Sequence, residues 1–304
     1  MRIATSQSQA TMNRSLMMNQ DALTRLSQQM ASGSRIQVPS DDPVSNVRIS
    51  RLNREESIVG QYRQNIDAVQ IRLQKNETYL SSVVRDINDA RDLFVWALDG
   101  GSTTADDLQS MVTSLESLRE SMLYSANTKD QEGRYIFSGT LTSTPSVTFD
   151  AAAAAGSRYT YTGNNGKQQV VVGNGISQTA NVDAQGLEVY LNQIDAVLDG
   201  LTVPGVTPND PAFRALLTSA LSGSDDTLTL VSSKIATFGG AQNILATLHD
   251  NHTNVSLSNQ MALTDIAKLD YGLAATELNG YTVALQSTYK AYAKVSNLSL
   301  FNVL

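Results

Sequence analysis

Residues 59–97 read VGQYRQNIDAVQIRLQKNETYLSSVVRDINDARDLFVWA. Within them Val59, Tyr62, Ile66, Val69, Leu73, Asn76, Leu80, Val83, Ile87, Ala90, Phe94 and Ala97 follow one another at steps of three and four. A mean spacing of about 3.5 residues keeps these side chains on one seam of an α-helix, and the seam needs a second helix to cover it. All but Asn76 are apolar. A single polar residue on such a seam fixes register at some cost in stability. With Leu52 as the first seam residue, the helix runs about 70 Å at 1.5 Å per residue. This seam is read as intramolecular core.

Downstream, Gly100-Gly101 ends the helix. Thr104-Ala105-Asp106-Asp107 resembles a capping box that opens a return helix with Leu108, Met111, Leu115, Leu118 and Met122 on its seam. Upstream, Ser40-Asp41-Asp42-Pro43 reads as a helix start. Asp42 accepts from the unpaired amides, and Pro43 occupies the first helical position. Before it, Ser32 to Pro39 is an extended linker opened by Gly33.

The two ends repeat the heptad signal. Met12, Leu16, Asn19, Leu23, Leu26 and Met30 form one seam, and Ala267, Tyr271, Ala274, Leu278, Tyr281, Leu285, Thr288, Tyr292 and Val295 form another. The first is short for a stable isolated helix. It is expected to need its own C-terminal helix and other chains as well. A further seam, Phe238, Ala241, Leu245, Leu248, His252, Val255, Asn259, Ala262, Ile266, Leu269 and Leu273, precedes the last one. Gly239-Gly240 and Gly272 are expected weak points. Two small helices, near residues 187–198 and 212–221, come before it.

The middle of the chain is different. Gly133-Arg134-Tyr135-Ile136-Phe137-Ser138-Gly139 reads as a short strand closed by glycine. Residues 147–149, 159–162 and 170–172 read as strands, with Ala151 to Ala155 a spacer between the first two. Asn164-Asn165-Gly166 reads as a hairpin turn joining the last two. The expected fold is mainly α, with long antiparallel coiled-coil helices from both ends and a small β-rich insertion. The expected division is 1–40 with 267–304 as the terminal coiled coil, 41–140 with 182–266 as the helical body, and 141–181 as an outward insertion. Such an insertion is expected to tolerate replacement by a short Gly/Ser turn.

The chain of 304 residues carries 22 basic and 29 acidic residues, a net charge of −7. That balance, with no basic patch, argues against nucleic-acid binding. With no cysteine, disulfides, thiolate metal sites and cysteine nucleophiles are excluded. No apolar run is long enough to span a membrane. The first residues lack the apolar run of a cleaved secretion signal, which fits a cytoplasmic protein or one exported without such a signal. Asp41-Asp42, Asp106-Asp107 and Asp225-Asp226 each precede a predicted helix, so capping explains them better than metal binding or catalysis. His249 and His252 lack further ligands at suitable spacing and are read as packed or surface residues. No catalytic or cofactor-binding residue is assigned.

Several segments resemble the bacterial flagellin family, and within it the members that join hook to filament. They are Met30-Ala31-Ser32-Gly33-Ser34-Arg35-Ile36 followed by Pro39-Ser40-Asp41-Asp42-Pro43, the Gly133 to Gly139 segment, Leu285-Gln286-Ser287-Thr288-Tyr289, and Leu298-Ser299-Leu300-Phe301-Asn302-Val303-Leu304. The resemblance covers roughly the first 140 and last 80 residues. It implies a structural, non-enzymatic protein exported unfolded through the flagellar type III channel. It also implies a homo-oligomeric ring or helical layer, neighbouring hook-associated and flagellin subunits, and an export chaperone on the C-terminal helix. The assembly interface implied is Met12, Leu16, Leu23, Leu26, Met30, Ala274, Leu278, Tyr281, Leu285, Tyr292, Val295, Leu298 and Phe301. Gly33, Arg35, Ile36, Pro39, Asp41, Asp42, Pro43, Gly133, Tyr135, Phe137 and Gly139 are the motif residues. A short flagellin is the alternative, and a cytoplasmic coiled-coil scaffold a more distant one.

Overall fold

The structure is a computed structural model that describes residues 2–99 and 104–297. The elements in order are α1 (Arg2–Ser32), α2 (Pro43–Leu98), α3 (Ala105–Ala126), β1 (Val147–Phe149), β2 (Tyr159–Tyr161), β3 (Gln169–Gly173), β4 (Ile176–Thr179), α4 (Leu187–Leu201), α5 (Pro211–Ala267) and α6 (Tyr271–Asn297). The fold is mainly α, as the seams require. The Gly100-Gly101 stop falls outside the described residues. The chain divides into two compact units, one from residues up to Ile58 and from Asn254 onward, the other Val59–Thr253.

The second unit holds one continuous core. Every α2 seam position from Val59 to Ala97 is buried except Tyr62, which is half-buried. Leu108, Met111, Leu115 and Met122 of α3 join them, with Tyr190, Leu191 and Ile194 of α4 and Phe238 and Leu245 of α5. Asn76 is buried on the seam and its Nδ2 has no protein partner, which is the stability cost of a polar seam residue. Thr104 caps α3 as expected: its hydroxyl accepts from the Asp107 amide at 3.3 Å, and the Asp107 carboxylate accepts from the Thr104 amide at 2.9 Å.

Three expectations change. First, residues 212–221 are not a separate helix but the opening turns of α5, which runs unbroken through Gly223. The end of the Gln193 side chain rests against Gly223. A Cβ on it would sit 1.7 Å from Gln193 Oε1 on α4. Asp225-Asp226 therefore lies inside a helix, and Asp225 pairs with Arg91 at 3.0 Å rather than capping. Second, the break near the C-terminus falls at residues 268–270, not at a glycine. Asp270 Oδ1 accepts from the Gly272 and Leu273 amides at 2.9 and 3.1 Å and opens α6. Third, the α5 seam departs from expectation at one position after His252 and resumes at Asn259, which is buried. Ser256 is buried instead of Val255, and its hydroxyl donates to the Glu56 carboxylate. Leu273 is likewise exposed.

The β region also differs. β1 pairs with β2 and β3 with β4, in two separate antiparallel sheets. Asn164-Asn165-Gly166 is therefore not a hairpin turn. Asn164 Oδ1 accepts from the Thr140 amide at 2.8 Å and the Gly166 amide at 3.0 Å, while Tyr161 Oη donates to the Asn164 carbonyl at 3.0 Å. Those bonds tie the segment to the Gly139 loop. Gly133 to Gly139 forms no strand. It makes isolated bridges, Lys129 with Tyr135 and Ser138 with Asp183.

The β module shares the core of the helices. Val147, Tyr159, Val172 and Ala180 are buried in the same core as Phe137 and Met122. Beside them Asp195, only 3% exposed at its side chain, meets Arg158 at 3.1 Å and Arg119 at 3.4 Å. A paired buried carboxylate is costly to break, because removal leaves its partners uncompensated. Asp195→Ala is expected to lower unfolding free energy by about 3 kcal/mol, and Arg158→Ala by less because Arg119 remains. Urea titration of both variants checks this. A loss for Asp195→Ala no larger than for a surface substitution contradicts it.

Candidate assembly surfaces

In the unit built from the ends, α1 packs antiparallel on α6. Leu26, Leu269 and Ala274 are buried together, with Met30, Leu278 and Tyr281 packed against them. Along the rest of the seam Met12, Leu16 and Leu23 of α1 and Leu285 and Tyr292 of α6 are half-buried. Two helices alone cover one side of each seam and leave the other to water. Off the seam, Met17 and Met18 stand 68% and 65% exposed, and Val283 and Tyr289 are also exposed. The side chain of Val295, and Leu298 and Phe301 entirely, lie outside the described residues.

The linker between α1 and α2 is tied to the α5–α6 break. Arg35 N donates to the Ala267 carbonyl at 2.8 Å and Leu269 N to the Gly33 carbonyl at 3.0 Å. Gly33 has φ of +72°, which favours glycine. Tyr271 Oη donates to the Met30 carbonyl at 3.2 Å. Arg35 reaches Asp42 at 3.0 Å. Ile36 accepts at its carbonyl from Ser34 Oγ at 3.0 Å. Pro39 lies in the turn closed by Asp41, whose Oδ2 accepts from the Gln37 and Val38 amides at 2.9 and 3.1 Å. Asp42 Oδ1 accepts from the Ser45 amide at 3.0 Å, the N-cap bond expected of it, with Pro43 first in α2. Asp41 serves the turn instead. Asp270 and Tyr271 belong to this arrangement but carry no motif. An Asp just ahead of a helical seam was the available signal.

Hydrogen bonds to the charged form hold both acids low. The Val38 and Gln37 amides lower Asp41. The Ser45 amide, the Ser45 hydroxyl and Arg35 bring Asp42 to about 2. Each contribution is complete above the ordinary Asp value of ~4 and is lost as pH falls through the depressed value. Between pH ~4 and ~2 the Gln37, Val38 and Ser45 amides are therefore expected to exchange faster, after correction for intrinsic rates. Asp42→Asn should remove the pH dependence at Ser45. Flat exchange across that window contradicts this assignment.

The Gly133 to Gly139 segment joins helices to the β module. Gly133, at φ +78°, closes a turn on Asp130. Tyr135 N donates to the Thr142 carbonyl at 2.8 Å, and its ring lies 4.6 Å from Lys129 Nζ. Phe137 is buried, and its carbonyl accepts from Ala184 N at 3.0 Å. Gly139, at φ +70°, would place a Cβ 1.9 Å from the Asn164 carbonyl oxygen. His252 sits against the module through Val172, with Nε2 2.8 Å from the carbonyl oxygen. His249 lies 3.6 Å from Asp67. Among the described residues no three His, Asp or Glu side chains gather as a metal site, and no helix is long and apolar enough to cross a membrane.

The family model of the bacterial flagellin N-terminal helical region matches residues 3–142. Flagellar hook-associated protein 3 of Escherichia coli is 27% identical over 295 residues, 91% of each chain. A solved structure of a flagellar hook-associated protein from Vibrio parahaemolyticus is 32% identical, with a TM-score of 0.68 over 75% of this chain and all of that one. The flagellar junction protein FlgL from Legionella pneumophila shares the fold at 13% identity, with a TM-score of 0.59 over 72% of this chain and all of that one. The chain belongs to the flagellin-like flagellar hook-associated proteins, in the hook-associated protein 3 (FlgL) family.

Proposed function

We infer that this chain is a structural subunit of the bacterial flagellum that joins hook to filament. The family is structural, and the chain is not an enzyme. The observation that carries the reading is the half-covered seam of α1 and α6, met in a chain alike along nearly its whole length to a hook-associated protein. A junction subunit must hold a tube on either side of it, and paired ends with one uncovered side suit lateral association.

In this reading the terminal region, residues 1–40 and 267–304, forms the inner tube. Residues 41–140 and 182–266 form the body outside it, and 141–181 face outward. Copies form a ring or helical layer against hook-associated and flagellin neighbours. The chain travels unfolded through the flagellar export channel to the cell exterior, and a chaperone holds the C-terminal helix on the way. Absence of cysteine suits a passage between reducing and oxidising surroundings.

A strain lacking the chain tests the reading. Electron microscopy should show hooks without filaments, and the medium should contain shed filament protein. Filaments of normal length on normal hooks would overturn it.

A further inference from the structure

The first turns of α2 carry a stripe with no cover. Val44, Val47, Arg48, Arg51, Arg54 and Ile58 are exposed, Val44 at 68% and Val47 at 60%. At 100° per residue they fall within about a third of the helix circumference, on a face that also carries exposed Glu55, so the three arginines leave it net positive. Among the described residues none of the three arginines has an ion pair or hydrogen bond to another side chain. An apolar stripe studded with unpaired guanidinium groups is a surface made for an acidic, partly apolar partner.

The Val59–Thr253 unit carries such a surface. Between α2 and α3 lies an open groove of about 560 Å³. Leu93 and Leu118 are half-buried in it and packed on the core. Asp89 and Asp92 stand on its α2 side, Thr113, Ser114 and Ser117 on its α3 side. Both aspartates are exposed, and neither has a cationic partner among the described residues. Glu116 and Glu120, also exposed, add charge of the same sign along α3.

We propose that this groove receives the α2 stripe of a second copy of the chain. Val44 and Val47 cover the leucines, Arg48, Arg51 and Arg54 meet the acids along the groove, and Ile58 lies about 20 Å from Val44, beyond it. The proposal rests on the reading of the chain as an assembling subunit and assigns residues to one contact of that assembly. Single exposed ion pairs contribute little, so the apolar cover supplies adhesion and the charges set register and orientation. Stripe and groove are different surfaces, so the contact is heterologous. Each copy offers both halves, and copies add in a row that closes into a ring or continues as a helix.

The absence of cysteine gives a clean test. A full-length chain carrying both Arg51→Cys and Ser117→Cys is expressed in the flagellated bacterium, and isolated flagella are oxidised. Denaturing gels without reductant should show a ladder of dimers, trimers and higher multiples, and neither single variant should give one. Arg48→Cys with Thr113→Cys serves as an independent second pair. Dimers from Arg51→Cys alone, a disulfide closed within one chain, cross-links to a different protein, or no cross-link from either pair would each overturn the proposal.

A second arm reverses charge. Arg48→Glu/Arg51→Glu/Arg54→Glu should leave the melting of the free chain unchanged and lower filament attachment about tenfold or more. Adding Asp89→Lys/Asp92→Lys should restore it. Failure of that rescue overturns the pairing. The junction reading fails separately, since a ladder would still form if the chain occupied another part of the flagellum.

Discussion

Replacing residues 142–181 with a short Gly/Ser turn should melt the Val59–Thr253 unit about 15 °C lower, or leave it unfolded at 37 °C. Val147, Tyr159 and Val172 are buried in its core. Full burial of a side chain of this size contributes roughly 1.5–3 kcal/mol, so three of them approach the total stability of an ordinary domain, roughly 5–15 kcal/mol. Polar bonds go with them. Asn127 loses both of its bonds to Val147, at 2.7 and 3.0 Å. Asp195 loses Arg158, and His252 loses the Val172 carbonyl. Circular dichroism melts of the intact and shortened chains measure the effect. A shortened chain melting at the temperature of the intact one would mean that the module is dispensable, as its sequence alone suggests.

The second large effect concerns assembly. Leu278→Asp/Leu285→Asp places two carboxylates on the α6 seam, at positions half-buried against α1 in the free chain. On the proposed reading both leucines become fully covered in the assembled tube, and since each is already half-buried the gain is roughly half that of full burial, about 1 kcal/mol each. A buried carboxylate without a partner adds its own cost. Incorporation into the flagellum should fall at least ~100-fold. Both leucines belong to the other compact unit, so the melting of the Val59–Thr253 unit should not move. Export into the medium, measured separately, distinguishes failed assembly from failed delivery. Normal motility from the double variant would mean that the seam is not an interface. Collapse of the Val59–Thr253 core would assign the leucines to that core instead.

What the sequence made legible was local and periodic. The α2 seam from Val59 to Ala97, the Thr104 cap and the Asp42-Pro43 start each depend on residues within a few turns of one another, and the structure keeps all of them. What it hid depends on distant partners. Nothing local says that the Gln193 side chain of α4 rests on Gly223 or that Asn164 turns back onto Thr140. Asn-rich glycine segments look alike whether they join two strands of one sheet or, as here, pass between two sheets. The displacement at Ser256 is of the same kind, since its buried hydroxyl donates to Glu56 of α2, two hundred positions away.

The pairing of the two ends was half legible. Heptads at both ends pointed to Leu16, Leu26, Leu278 and Leu285, and α1 and α6 do pair along them. The linker bonds from Arg35 to Ala267 and from Tyr271 to Met30 join residues more than two hundred positions apart. No periodicity could have revealed them.

Amide hydrogen exchange on the free chain and on the same chain within isolated hook–filament junctions tests the central claim most directly. The account predicts that residues 59–98 and 211–250 exchange slowly in both states. It predicts that α1 and α6 exchange quickly in the free chain, where their seam is half-covered, and slow by a factor of about a hundred or more on assembly. Equal protection of α1 and α6 in the two states would contradict it, because the ends would then be a finished part of the monomer rather than the surface on which the junction is built.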